Sequence, residues 1–319
     1  MACILYSLTL GAYHISPTHV YQILIANFTG ILPPNVTAME VSMIYDVRLP
    51  RILGAVVAGC GLAVAGGVFQ ALFGNPLASP YTLGVSNGAG FGAALAIVLS
   101  LPAAGVQMAA LVFGIVSVGL TFLLAGRKRG ASVTMILSGM LVSAFFSSLV
   151  ALLKFTADPQ EKLPQIVYWL MGSLAAVTYH QIALGAPFII AGVVVIVALR
   201  WQLNILSLSE DEARSAGVNV SLMRAILIVA STVITASVIS MCGQVGWVGL
   251  LVPHCARMLC GQNNRAVIPV SLLLGSALMI VIDTLARSLS ASEIPISILT
   301  AIIGAPFFIV LLRRTGGAR

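Results

Sequence analysis

The densest polar chemistry in this chain lies between Ser207 and Arg224, in the stretch SLSEDEARSAGVNVSLMR, where Glu210, Asp211 and Glu212 stand side by side. What these residues can do is build and cap a helix. Ser209 with Glu212 fits a capping box, in which the hydroxyl and the carboxylate satisfy the first free amides. The acids then sit at the positive end of the helix dipole, and Gly217 is placed to end the helix after about two turns. A helix that short cannot cross a bilayer, which takes roughly 20 apolar residues. The stretch therefore predicts a small structured knob outside the membrane, of the kind a partner protein grips. The alternative is an ordinary solvated loop.

Other reactive patterns are thinner. Gly84-Val-Ser-Asn-Gly88 matches G-x-S-x-G, but a serine hydrolase needs a histidine partner, and of the four histidines only His254 falls in a strong apolar run. Close helix packing explains those glycines as well. The lysines, Lys128, Lys154 and Lys162, follow no glycine, so there is no phosphate-binding loop. There is no H-E-x-x-H. The five cysteines, Cys3, Cys60, Cys242, Cys255 and Cys260, contain no C-x-x-C pair, so they support neither a zinc site nor a disulfide framework. Asp283 is the sole acid inside a strong apolar run. An ion-coupled secondary transporter would use such a carboxylate at mid-membrane. Arg287, four residues on, offers a local ion pair toward the outer end of that run. Nothing points to catalysis, a metal or a cofactor held by this chain.

The elements that carry these residues are membrane helices. Of 319 residues, 59% are hydrophobic and 8% charged, against about 25% charged in soluble domains. The formal charge of +7 therefore reflects loop charges that orient the chain in lipid, not a nucleic-acid partner. Strong spans are expected near residues 49–73, 87–101, 105–125, 133–153, 182–201, 225–242, 245–260, 266–289 and 295–312. With the apolar run Met1–Ala12, which lacks the basic start of a signal peptide, that makes about ten. Residues 14–46, broken by Pro17, Pro33 and Pro34, read as an amphipathic piece and a loop, and 163–172 as a helix too short to cross. The fold class is an all-α polytopic membrane protein with one transmembrane domain over residues 1–319. Eleven of the 16 basic residues fall in the loops at 127–129, 200–224 and 257–265 and in the C-terminal tail. The positive-inside rule puts those loops, the knob and the C-terminus in the cytosol. In the first strong span, Ala55, Gly59, Ala63 and Gly67 form a small-residue row suited to tight packing within the subunit. After it, Phe73 to Tyr81 carries two prolines and cannot be regular helix, so it is either buried in protein or lines a path.

Several motifs carry a family resemblance. They begin with Arg48-Leu-Pro-Arg51, Gln70-Ala-Leu-Phe-Gly-Asn-Pro-Leu-Ala78 and Leu83-Gly-Val-Ser-Asn-Gly-Ala-Gly90. Next come Trp169-Leu-Met-Gly172, Gly243-Gln-Val-Gly-Trp-Val-Gly-Leu-Leu-Val-Pro-His254 with Arg257, and Asp283-Thr-Leu-Ala-Arg287. Glu293-Ile-Pro-Ile296 and Gly304-Ala-Pro306 close the series. Together they resemble the FecCD-type permeases, the membrane subunits of type II ABC importers for iron-siderophores, haem and vitamin B12. The match runs in order over nearly the whole chain and departs at Met1–Ala12, where the family's first span is longer.

The resemblance implies a permease fold of ten helices in the inner (plasma) membrane. It implies a homodimer around one pathway, two cytosolic ATPase subunits that bind ATP and Mg, and an extracytoplasmic binding protein docking outside. Residues 207–224 then take the position of the coupling helices, with Glu210, Asp211, Glu212, Arg214, Ala216 and Gly217 toward the ATPase. Asn75 and Leu77 fall where the family narrows its pathway. Ser132 and Val133 match a second gate position, with Val133 apolar where some relatives carry a hydroxyl. Ser138, Met140, Ser143, Phe145, Phe146, Ser147 and Ser148 of the fifth span would face the pathway, although serines pack helices as often. By the same resemblance Arg48, Arg51 and Arg287 meet acids on the binding protein. The alternative is that they pair at home, Arg287 with Asp283 and Arg48 with Asp46. The expected cargo is an iron chelate such as a siderophore complex or haem, on a scaffold that also serves cobalamin and oxyanions such as molybdate.

Overall fold

The computed structural model describes residues 2–11, 13–29, 33–126, 132–208, 210–215, 217–290 and 292–316, and every regular element among them is helical. In chain order these are α1 (Ala2–Thr9), α2 (Pro17–Thr29), α3 (Ala38–Ser42), a π-helical stretch (Met43–Arg48) and α4 (Leu49–Phe73). A 3-10 turn at Pro80–Leu83 leads to α5 (Val85–Val98), α6 (Ala103–Ala125), α7 (Ser132–Thr156) and α8 (Lys162–Met171). Then follow α9 (Tyr179–Ala198), α10 (Gln202–Leu206), α11 (Glu210–Ser215), α12 (Val220–Cys242), α13 (Val248–Cys260), α14 (Asn264–Ser288) and α15 (Ile296–Gly316).

Six helices among the described residues are long and apolar enough to cross a membrane, and Val85–Val98, Val248–Cys260 and Ile296–Val310 are shorter apolar helices. At 8 residues, α1 reaches only about 12 Å. One boundary needs correction. The end of the 14–46 stretch, read as an amphipathic piece and a loop, is helical from Ala38 and continues into α4, so that Ala38–Phe73 is one 36-residue run. The cause is a capping box: Glu40 N–H donates to Thr37 Oγ1 at 3.2 Å, and Thr37 N–H donates to Glu40 Oε2 at 2.9 Å.

In their most apolar stretches α4 and α12 are each 78% buried, whereas α7 and α9 are 28% buried. The first two therefore form the centre, and the others leave a face for lipid or a second chain. The small-residue row of α4 packs inside the subunit, as expected. Gly59 and Gly275 of α14 are so close that a Cβ on Gly59 would lie 2.2 Å from the Gly275 carbonyl oxygen. Without side chains in the way, the two backbones touch, which is how helices gain dispersion contact where lipid supplies no hydrophobic drive.

Candidate functional site

The candidate site residues gather mainly at the two ends of α4 and along α7. At one end, α4 stops at Gly74, and the loop to Pro80 folds back beside α10, α13 and α14. Asn75 and Leu77 are exposed there, and the Asn75 side-chain oxygen accepts the Leu77 N–H at 2.9 Å. Behind them Ala78, Ser79 and Pro80 are buried. The irregular backbone of this stretch finds partners in its neighbours. Thr121 Oγ1 donates to the Leu83 carbonyl at 3.0 Å, Thr82 Oγ1 to the Ser79 carbonyl at 2.6 Å, and the Tyr81 hydroxyl to the Val245 carbonyl. The base of the loop is buried in protein and its tip is exposed.

The coupling candidates lie at this same end. α11 spans Glu210–Ser215, so the short helix forms as expected. Glu212 is exposed at its surface. Gly217 follows at φ +76° with open space around it, the left-handed geometry that ends a helix on glycine. Ser209 and Ala216 lie outside the described residues, as do Arg127, Lys128, Arg129 and Arg319, and the side chains of Glu210, Asp211, Arg214 and Ser132 lie outside them too. Just before α11, Ser207 Oγ donates to the Leu203 carbonyl at 2.8 Å and approaches the Ala71 carbonyl of α4 at 3.4 Å. The segment that leads to the knob is thus in contact with the end of α4 and its loop.

On α7 the expected pathway face splits. Val133, Met140, Phe145, Ser147 and Ser148 are exposed. Ser138 and Phe146 are turned into the subunit, at 6% and 3% exposure, because they fall on the opposite side of a 3.6-residue period from Met140 and Ser147. Ser143 is half-buried and accepts a hydrogen bond from Asn87 Nδ2 at 2.7 Å. The open face is apolar with hydroxyls and carries no charge between residues 133 and 153.

At the far end the structure gathers Arg48, Arg51 and Arg287, but buries them at 2%, 4% and 6% exposure. Arg51 donates to Asp283 Oδ1 through Nε at 3.2 Å and Nη2 at 2.9 Å, and through Nη1 to Glu293 at 2.6 Å. Arg287 lies 3.3 Å from Asp283 Oδ2 without hydrogen-bond alignment, and gives its outer nitrogens to the Ser7 and Leu10 carbonyls and to Ser7 Oγ. Arg48 donates to the Leu8 and Tyr13 carbonyls. The three arginines expected to meet a docking protein are thus buried in this chain, and their desolvated guanidinium groups take partners within it. The home pairing of Arg287 with Asp283 is present, while Asp46 accepts instead from Ser42 Oγ at 2.7 Å. The carboxylate left partly open is Glu293, whose side chain is 36% exposed.

Contacts between distant motifs explain residues that sequence reasoning left without a role. Trp169–Gly172 meets Gly243, and a Cβ on Gly243 would sit 2.3 Å from the Trp169 carbonyl oxygen. Ser173 N–H then donates to the Cys242 carbonyl at 2.8 Å, and Ile296 N–H to the Gly172 carbonyl at 3.0 Å. Gly304 gives way to the Trp247 ring. Gln70 donates from Nε2 to the Leu250 carbonyl at 3.0 Å and accepts from Arg257 Nη1, tying α4 to α13. A lone glutamine in an apolar run was the available signal for that tie. Gly88 packs on Ser117 and the Phe113 carbonyl, a packing use for the G-x-S-x-G glycines.

The FecCD transport family model matches residues 1–314. A molybdate import system permease of Haemophilus influenzae is 42% identical over 96% of this chain and 90% of its own length. A probable iron chelatin transport system permease of Helicobacter pylori is 37% identical over 86% of this chain and 83% of its own. A solved inward-facing transporter, assigned to the metal-chelate ABC type, superposes with a TM-score of 0.88 at 38% identity, covering 98% of this chain and 96% of that one.

Proposed function

This chain belongs to the FecCD transport family, and on that premise we propose that it is the permease subunit of a type II ABC importer, paired with a second copy around one central pathway. In this reading two cytosolic ATPase subunits bind ATP and Mg and press on α11, while an extracytoplasmic binding protein delivers cargo at the Arg51–Glu293 end. The observation that carries it is the junction of Ser207, which leads into α11, with the end of α4 and the Asn75 loop. A push on the short helix reaches the narrowest candidate part of the pathway through one contact. Met140, Ser143, Ser147 and Val133 of α7 then line the route, where a neutral wall lets cargo slide without being held.

The test is a reconstituted complex of this chain with its ATPase, measured for ATP-dependent uptake. Pro cannot take φ +76°, so Gly217→Pro is expected to cut coupled uptake by about tenfold or more while the dimer still assembles. Normal coupled uptake in that variant would reduce α11 to a surface loop. Uptake driven by an ion gradient without nucleotide would establish the secondary-transporter reading instead.

Orientation is tested separately. Ser215 and Ser292 are both exposed, one in each end group. In a cysteine-free background, an impermeant reagent added outside is expected to label a cysteine at Ser292 and spare one at Ser215. Labelling of both would overturn the proposed sidedness.

Two cargo readings stand. The iron chelate fits the Helicobacter relative. Molybdate is favoured by the Haemophilus relative, at 42% identity over nearly the full chain. Titration of the cognate binding protein with ferric chelates, haem, cobalamin and molybdate decides between them, and tight binding of molybdate alone would retire the chelate.

A further inference from the structure

A cavity of about 430 Å³ opens at the α11 end of the chain, between the tip of α4 and the ends of α13 and α14. Its chemistry is one-sided. Arg257 lines it with two of its five N–H groups committed, to Gln70 Oε1 and the Gly67 carbonyl, both neutral acceptors. Among the described residues no carboxylate pairs with this half-buried guanidinium, and none of the lining residues is acidic. Among the described residues the His254 imidazole makes no hydrogen bond, and its ring lies beside those of Phe307 and Phe308. Asn264 is 4% exposed, and among the described residues neither its side-chain oxygen nor its side-chain NH₂ makes a hydrogen bond. Asn75 uses its oxygen on the Leu77 N–H, which leaves its NH₂ to donate.

A partly buried cation without a counter-charge is costly. That cost falls if something anionic, with several acceptor oxygens, occupies the cavity, where the Asn264 NH₂ can donate to it as well. We propose that this cavity is a binding site for a compact tetrahedral oxyanion of the phosphate or molybdate class, held by Arg257 and the Asn75, Asn264 and Gln262 amides. The volume leaves room for the water that completes such shells. Two sources supply this chemistry on the proposed cytosolic side, the phosphate released by the ATPase and an imported oxyanion. Because the walls come from the Asn75 loop and from Ser207 beside α11, occupancy bridges the gate and the coupling segment. The site thus rests for its regulatory use, though not for its binding, on the importer reading.

The experiment titrates the detergent-purified permease–ATPase complex, without nucleotide, by calorimetry and thermal shift. Inorganic phosphate and molybdate are compared with chloride at matched ionic strength, which removes general screening. Saturable binding is expected, weakened about tenfold or more by Arg257→Gln and by Gln262→Glu, since each removes or opposes a charge-assisted contact. Gln262 is exposed, so its variant keeps the packing even if Arg257→Gln fails to fold. Arg265→Gln, exposed and outside the cavity lining, is expected to bind as the parent does. The tighter of the two anions identifies the source. The proposal is overturned if neither anion binds beyond the chloride control, or if Gln262→Glu binds as the parent does. It is also overturned if a cysteine at Gln262 is shielded by the ATPase subunits alone, which would make the cavity a protein interface. None of these outcomes depends on transport, so the importer reading is tested apart from it.

Discussion

Asp283→Ala is expected to destabilise the folded permease by about 3–5 kcal/mol, the usual cost of removing one partner from a buried ion pair. Asp283 is fully buried and takes both Nε and Nη2 of Arg51, with the Arg287 Nε beside its second oxygen. Without it, two buried guanidinium groups share only Glu293, which sits at the rim, and the carbonyls of the N-terminal segment. Asp283→Asn keeps an acceptor but no charge, so its loss is expected to be smaller. In the double variant Arg51→Gln with Asp283→Asn, the losses should fall short of additive by about 1–3 kcal/mol, because both changes break one interaction. The measurement is the unfolding midpoint in detergent, followed by tryptophan fluorescence. An Asp283→Ala midpoint equal to that of the parent would show that the pair carries no weight in folding.

That pair also shows where sequence reading stops. Asp283 and Arg287 are four apart on one helix, so their proximity could be written down from spacing alone. Arg51 is 232 positions away from Asp283, and no periodicity within a helix announces such a meeting. The clue was indirect: one acid in an apolar run must find a counter-charge, and Arg48 and Arg51 stand at the start of α4. The same limit explains the three arginines. Their position at one end followed from the order of spans, but their burial depended on the Ser7, Leu8, Leu10 and Tyr13 carbonyls lying against them. Span positions were legible because long apolar runs admit little besides helix, and α4 starts and ends as expected once its upstream extension is set aside. That extension was legible too, since Thr37-Ala-Met-Glu40 is a capping-box signature as clear as the one at Ser209. It was masked by the prolines before it. On α7 the serines could be counted but not assigned to faces, because a helix bordered on several sides gives no single apolar stripe to set the phase.

Gly66 offers the sharpest test of how the centre of the bundle is held. A Cβ there would lie 1.8 Å from the Gly249 carbonyl oxygen and 2.5 Å from its carbon. The obstacle is backbone, so no rotamer change relieves it. Pro253, four residues after Gly249, has no N–H to offer that carbonyl, which therefore lacks its regular helical donor and lies against α4. The Gly66 Cα–H is positioned to contribute a weak Cα–H···O contact in its place. Gly67, the next residue, provides the control: its nearest neighbour would be the Ile268 Cδ1 at 3.2 Å, the movable tip of a side chain. Alanine favours a helix interior over glycine by about 1 kcal/mol, so Gly67→Ala is expected to be neutral or mildly stabilising. Gly66→Ala must part α4 from α13, at the upper end of the overpacking range or beyond it, about 3 kcal/mol or more. It must also disturb the Gln70–Arg257 tie one turn further along. The comparison is read from unfolding midpoints and from the yield of assembled complex. If the two alanine variants behave alike, the helices are not held by direct contact of their backbones.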